Sequence, residues 1–282
     1  MRAKEAAWTA AAYGTTAVRL ARRGNRHGQR RPDLRRDDRL VFVIGSPRSG
    51  TTFLGRSLGS QPGFVDLGEV PLLKAAVPRL VALPEDEQAR RAHAILQRVR
   101  ALGLVRRLRG VEQGPESSFV LPALLRAFPE AVAVHALRDG RDVVCSLLER
   151  GWLSAASEGR DDARLAYGSH ARFWVEPERR AEFAAASDAR RAAWAWRRYV
   201  TAARALPERT VEVRYEALVS APGEQADRLA GTLGVEPGPL RAALGKAYDS
   251  SVGRWRTQLT AGQLADVEAE TGGLLAELGY TT

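Results

Sequence analysis

Leu40 to Leu54 reads LVFVIGSPRSGTTFL. Val41 to Ile44 are β-branched or aromatic and are bounded by Gly45 and Pro47, so the run reads as a buried strand rather than a helix. A helix is predicted to begin near Gly50. Between strand and helix lies a G-x-x-x-x-G turn carrying Arg48. Helix N-termini favour negative charge, so the free N–H groups of this turn, with the hydroxyls of Ser49, Thr51 and Thr52, form a cradle for an anion. Gly50 lets the backbone approach that anion closely. The residue after the second glycine is Thr51, not the lysine with which a nucleoside triphosphatase holds its terminal phosphates, and the cation has moved to Arg48.

A second apolar run, Ala131 to Leu137 (AVAVHAL), delivers RDGRDVVCS from Arg138 to Ser146. With Arg138 at a strand tip and Ser146 about two turns into the next helix, the two side chains can reach one phosphate from two directions. The plainer reading makes Arg138, Asp139, Arg141 and Asp142 a solvated salt-bridge face. Two further elements follow: a strand turning into a helix at Thr210 to Pro222 (TVEVRYEALVSAP), and a loop at Tyr248 to Trp255 (YDSSVGRW).

In this order, across residues 40 to 255, the four elements resemble those of the sulfotransferases that use 3′-phosphoadenosine 5′-phosphosulfate (PAPS). PRSGTT is similar to the family's 5′-phosphosulfate loop, and Arg138 with Ser146 to its 3′-phosphate pair. Tyr215 falls where the family's tyrosine contacts the adenine. Ser250, Ser251, Gly253 and Arg254 fall in the late loop that closes over the 3′-phosphate side. Phe53 stands where relatives often carry an aromatic against the adenine; a core position on the helix face is the equal alternative. The variant that matches best is the tyrosylprotein and related bacterial branch, followed without a gap through Gln61-Pro62 to Gly68-Glu69. That resemblance implies Glu69 as the base taking the acceptor proton; a first-turn helix cap ahead of Leu72 is the bland reading.

The resemblance implies an α/β, three-layer P-loop NTPase-like fold with a central parallel sheet flanked by helices, PAPS as sulfuryl donor and no metal. Arg48 would bridge the 5′-phosphate and the departing sulfuryl oxygens. The acceptor is a hydroxyl on a carbohydrate, glycolipid, secondary metabolite or peptide tyrosine. One departure stands out: the branch carries a lysine before an -x-P step, and this chain has Glu112-Gln113-Gly114-Pro115, whose Gln113 donates hydrogen bonds without charge. The alternatives are a P-loop nucleotide kinase or NTPase, and a non-catalytic nucleotide- or anion-binding protein.

The chain has 282 residues, 45% of them hydrophobic, enough to bury a full core. Residues 1–39 read as a basic N-terminal helix and linker, and 40–282 as the sulfotransferase-like domain, with helical acceptor-side insertions near 71–110 and 151–190. In the second insertion Trp152, Tyr167, Phe173 and Trp174 are expected mostly to pack it onto the sheet, and Trp194, Trp196 and Tyr199 to belong to the core. Only Lys4, Lys74 and Lys246 among the 43 basic residues are lysines, a skew that looks like coding bias. Residues 1 to 40 hold eleven basic against four acidic side chains, most of the net +10. No nucleic-acid module accompanies them, and contact with an anionic membrane surface is one option. A single cysteine, Cys145, excludes an internal disulfide, and the scattered His27, His93, His135 and His170 exclude a zinc site. A cytoplasmic, at most membrane-peripheral, location is expected, and oligomeric state is not legible.

Overall fold

A computed structural model describes residues 2–26 and 37–280; the arginine-rich stretch at 27–36 lies outside them. The helices are α1 (Arg2–Arg26), α2 (Thr51–Gly59), α3 (Pro71–Leu80), α4 (Glu85–Leu102), α5 (Leu121–Ala127), α6 (Gly140–Arg150), α7 (Arg180–Ala185), α8 (Asp188–Ala203), α9 (Tyr215–Ser220), α10 (Pro222–Leu233), α11 (Pro237–Leu244), α12 (Trp255–Gln258) and α13 (Ala261–Glu277). The strands are β1 (Val41–Ile44), β2 (Phe64–Gly68), β3 (Arg109–Glu112), β4 (Val132–Leu137) and β5 (Thr210–Arg214).

Strand order is β2-β3-β1-β4-β5, and every pairing is parallel. This is the three-layer α/β fold expected from the sequence, and β1 shows why. Its four residues are wholly buried. Phe42 and Ile44 join a cluster with Leu20 of α1, Leu96 of α4 and Leu124 of α5. Val41 and Val43 point the other way, to Leu54 and Leu58 of α2 and Leu229 of α10. A strand covered on both faces needs apolar residues at every position, so VFVI lacks the alternation of a half-exposed strand. A third cluster packs α6 against α8 and α13 through Val143, Trp196 and Val267.

The sequence is then threaded so that five candidate segments follow a carboxyl end, 45–50 after β1, Glu69 after β2, Gln113 after β3, Arg138 after β4 and Tyr215 after β5, while the late loop at 248–254 follows α11. In an open parallel sheet, ligands bind at this edge, where the strand order reverses.

Helix α1 belongs to this arrangement. Its inner face places Ala12 and Leu20 in the main core. Arg19 Nη2 donates to the carbonyls of Leu67 (2.9 Å) and Glu69 (3.3 Å), and Arg23 pairs with Asp66 at 2.8 Å. Part of the N-terminal basic charge therefore braces the end of β2. No helix among the described residues is long and apolar enough to cross a membrane.

Candidate active site

The loop after β1 is built for close approach. Arg48 adopts φ 72° and Gly50 φ 89°, the left-handed region that costs a side-chain-bearing residue energy. A Cβ at Gly50 would stand 2.8 Å from Cδ2 of Tyr215, so glycine is required there twice over. Helix α2 opens at Thr51 with no side-chain cap and no acid in its first turn, which leaves its N–H groups for an external anion.

A cavity of about 330 Å³ opens over this turn, lined among others by Arg48, Gly50, Thr51, Thr52, Phe53, Arg138, Ser146 and Tyr215. Ser250, Ser251 and Arg254 of the late loop complete it, with Tyr248 beside them. Arg48 Nε donates to Ser146 Oγ at 2.9 Å. Arg138 lies over the Tyr215 ring at 4.9 Å, donates to the carbonyl of Arg48 at 3.2 Å and also to that of Ser251. Burial, then the neighbouring Arg150 and Arg138 guanidinia, hold Arg48 below its ordinary pKa. Among the described residues Arg48 and Arg138 bond to hydroxyl and carbonyl oxygens and not to a carboxylate. Two clustered guanidinium groups without a counter-ion call for an anionic ligand.

The acids of the second motif are not a solvated face. Asp139, Arg141 and Asp142 are buried. Asp139 caps α6 and holds Arg141 at 2.8 Å. Asp142 accepts from the backbone N–H groups of Gly253 (2.7 Å) and Trp255 (3.1 Å). This pins the late loop across the cavity mouth. Asp142→Ala removes two charge-assisted bonds, so affinity for 3′-phosphoadenosine 5′-phosphate should fall about tenfold or more by calorimetry. Unchanged affinity would mean that the loop is held by other contacts.

A second cavity, also about 330 Å³, meets the first on Arg48, Thr51 and Thr52. Glu69 lines it, as do Lys74, Glu116, Asp161, Asp162, Trp152, Tyr167, Arg172, Trp174 and Tyr199. Lys74 Nζ reaches Glu69 Oε2 at 2.9 Å, Asp161 Oδ2 at 3.2 Å and Asp162 Oδ1 at 3.6 Å. Burial works against its charge, but Glu116, Glu69 and Asp161 outweigh it and raise its pKa. Trp152 stands 5.8 Å from the Arg48 guanidinium.

Gln113 turns away from both cavities. It is buried, and a Cβ at Gly55 of α2 would stand 2.8 Å from its own Cβ. Beside it Glu112 accepts from Ser117 Oγ (2.9 Å) and the Gly114 N–H (2.8 Å). Burial nonetheless pushes its carboxyl up from 4.5 to about 8. A folded-state pKa raised in this way contributes stability that is full below 4.5 and lost as pH rises through 8. Between about pH 5 and 8 the melting midpoint should therefore fall more steeply in the wild type than in Glu112→Gln, and parallel profiles would refute it.

Of the residues singled out from the sequence, Arg48, Gly50, Thr51, Thr52, Phe53, Arg138, Ser146, Tyr215, Ser250, Ser251 and Arg254 line the first cavity, and Glu69 the second. Ser49 sits behind the loop with its Oγ buried and unpartnered, and Gly253 contributes its N–H to Asp142. Arg254 is paired with Glu149. Lys74, Asp161, Asp162 and Tyr248 were not anticipated as site residues. Lys74 had one visible signal, a lysine retained where 40 of the 43 basic residues are arginine. Trp174 and Tyr199 belong to a buried core cluster with Phe183 and Trp194, as expected, and border the second cavity as well, and Trp152 and Tyr167 line that cavity.

The model of the sulfotransferase family matches residues 106–238. The sulfotransferase domain of the curacin biosynthetic pathway superposes with a TM-score of 0.57 at 16% identity, covering 88% of this chain and 99% of that one. The sulfotransferase domain of the Synechococcus PCC 7002 olefin synthase gives 0.52 at 17% identity, covering 86% and 96%. A sulfotransferase from Mycobacterium avium gives 0.50 at 16%, covering 85% and 76%. No curated protein matches the chain by sequence. The fold expected from the motifs is therefore shared with these structures, and the family match over residues 106–238 agrees with the resemblance. The matched region begins beyond the 45–50 loop and Glu69, which join it through the geometry above.

Proposed function

We propose that this chain, with its sulfotransferase fold and its sulfotransferase-family sequence over residues 106–238, moves the sulfuryl group of PAPS onto an acceptor hydroxyl. The observation that carries the reading is the meeting of two cavities on Arg48, Thr51 and Thr52, one lined by anion-holding groups and the other by Glu69.

The first cavity fits the donor. Arg138, which lines it, has a buried Nε without a partner, and the Gly50 cradle is closed to any side chain. Arg48, Gly50, Thr51 and Thr52 would hold the 5′-phosphosulfate, and Arg138, Ser146, Ser250, Ser251 and Arg254 the 3′-phosphate, with Gly253 tying the late loop to Asp142. Tyr215, with Phe53 and the exposed Tyr248, would bound the adenine. When bound, the donor supplies a sulfuryl group activated by its bond to phosphate. The chain's residues position, neutralise and remove one proton, as in phosphoryl transfer. The acceptor hydroxyl gives its proton to Glu69 as its oxygen takes the sulfuryl group, and Arg48 opposes the charge that builds on the departing phosphate oxygen.

Thermal unfolding with 3′-phosphoadenosine 5′-phosphate tests this against ATP plus magnesium. At a hundred times its Kd a ligand adds about 2.7 kcal/mol, which should raise the midpoint by about 5–10 °C in a chain of this size. A shift with ATP and magnesium alone would replace the reading by a kinase, and no shift with either would leave a non-catalytic protein.

A further inference from the structure

We propose that the second cavity selects a small, flat phenol without negative charge, not an acidic peptide or a sulfated saccharide. The proposal rests on the sulfuryl-transfer reading above.

Size is the first argument. At about 330 Å³ the cavity stands at the small end of the ~300–1,000 Å³ usual for ligand pockets. Segment 151–176 supplies one wall of it, and Lys74 ties that segment to the base by gripping Asp161 and Glu69 together. Asp161 also accepts from the N–H groups of Ala163 and Leu165, so the grip extends to the backbone of the segment.

Wall chemistry is the second. Trp152, Tyr167, Trp174 and Tyr199 present aromatic surface. Those walls are braced from behind: Phe119 meets Tyr199 edge-on at 4.8 Å, and Phe183 meets Trp174 edge-on at 5.5 Å. Braced aromatic faces suit a planar ring, which can meet them offset-stacked or edge-on. A phenolic proton, with a pKa of about 10, is also within easier reach of a carboxylate base than that of an aliphatic alcohol.

Charge is the third. Four acids line the cavity, Glu69, Glu116, Asp161 and Asp162, of which Glu116 is buried and has its carboxyl pushed up by that burial. Its three cations are engaged: Lys74 by three of those acids, Arg172 by the carbonyl of Ala166, and Arg48 by Ser146. Asp162 is 66% exposed by side chain, and Glu116 Oε2 is buried without a partner. With Lys74 held by three acids and Arg48 shared with the first cavity, the exposed carboxylate of Asp162 is a negative charge that an anionic acceptor would meet.

The test compares 2-naphthol with its carboxylated twin 6-hydroxy-2-naphthoate and with a tyrosine peptide flanked by aspartates. Binding to protein saturated with 3′-phosphoadenosine 5′-phosphate is followed by tryptophan fluorescence, and transfer from PAPS by product formation. 2-Naphthol should quench the fluorescence and exceed its twin in kcat/KM by about tenfold or more, a difference of about 1.4 kcal/mol. Asp162→Lys should narrow that gap by improving the twin. Preference for the twin or the peptide, or a ratio unmoved by Asp162→Lys, overturns the proposal. If the bisphosphate binds and 2-naphthol does not, the acceptor proposal alone fails. If the bisphosphate does not bind, the donor reading fails and the acceptor proposal with it.

Discussion

Glu69→Gln is expected to lower turnover by about 10²- to 10⁴-fold, the usual contribution of a positioned general base, while affinity for 3′-phosphoadenosine 5′-phosphate stays essentially unchanged. Glu69 follows β2 directly and lines the second cavity, not the first. Its Oε2 accepts from Lys74 at 2.9 Å. A glutamine has the same shape and can still accept from that ammonium, so the link to Asp161 and the cavity walls survive, and what disappears is the ability to take a proton. Single-turnover transfer from PAPS to 2-naphthol, beside calorimetry with the bisphosphate, separates the two effects. Undiminished turnover would remove Glu69 from the base role and leave it a tether for Lys74. Loss of bisphosphate affinity would place its effect on the donor side instead.

The second large effect is expected at Arg48, the cation shared by both cavities. Arg48→Ala should cost about 10²–10³ in kcat, the range measured for removal of one preorganised donor aimed at developing charge. KM for PAPS should rise much less, because Arg138, Ser146 and the N-terminus of α2 still hold the ground-state phosphates. Ser146 Oγ accepts from Arg48 Nε at 2.9 Å and aims the guanidinium. Arg48→Lys should recover little, since an ammonium cannot reproduce the planar fork. Unchanged kcat with a large rise in KM would make Arg48 a ground-state binder only.

The two halves of the site differ in how far they were readable from the chain. Most of the residues lining the first cavity were readable from the chain, because they lie mainly in short segments in which strand end, turn and helix start are contiguous. Arg138 and Ser146 illustrate this: their separation is set by helix geometry within one segment. The acid–arginine run between them was harder. Asp142 looks like surface charge until the late loop, more than a hundred residues on, offers it two N–H groups. The acceptor side was mostly hidden. Trp152, Tyr167 and Trp174 lie in a segment without clean periodicity, and nothing local says whether such a ring faces a core or a cavity.

By itself the sequence determined what local sterics and apolar patterning control: a fully buried β1, a phosphate-type turn after it, a helix opening at Thr51, and two further segments with matching chemistry at the ends of β4 and β5. Only the tertiary structure decided which distant groups meet. It buried Gln113 against α2, brought Lys74 to Glu69 and Asp161, and set α1 against β2 through Arg19 and Arg23. Those outcomes depend on the order β2-β3-β1-β4-β5, which places five remote loops along one edge. Ion pairs across that edge are fixed by the packing of whole layers, and no single segment carries that information.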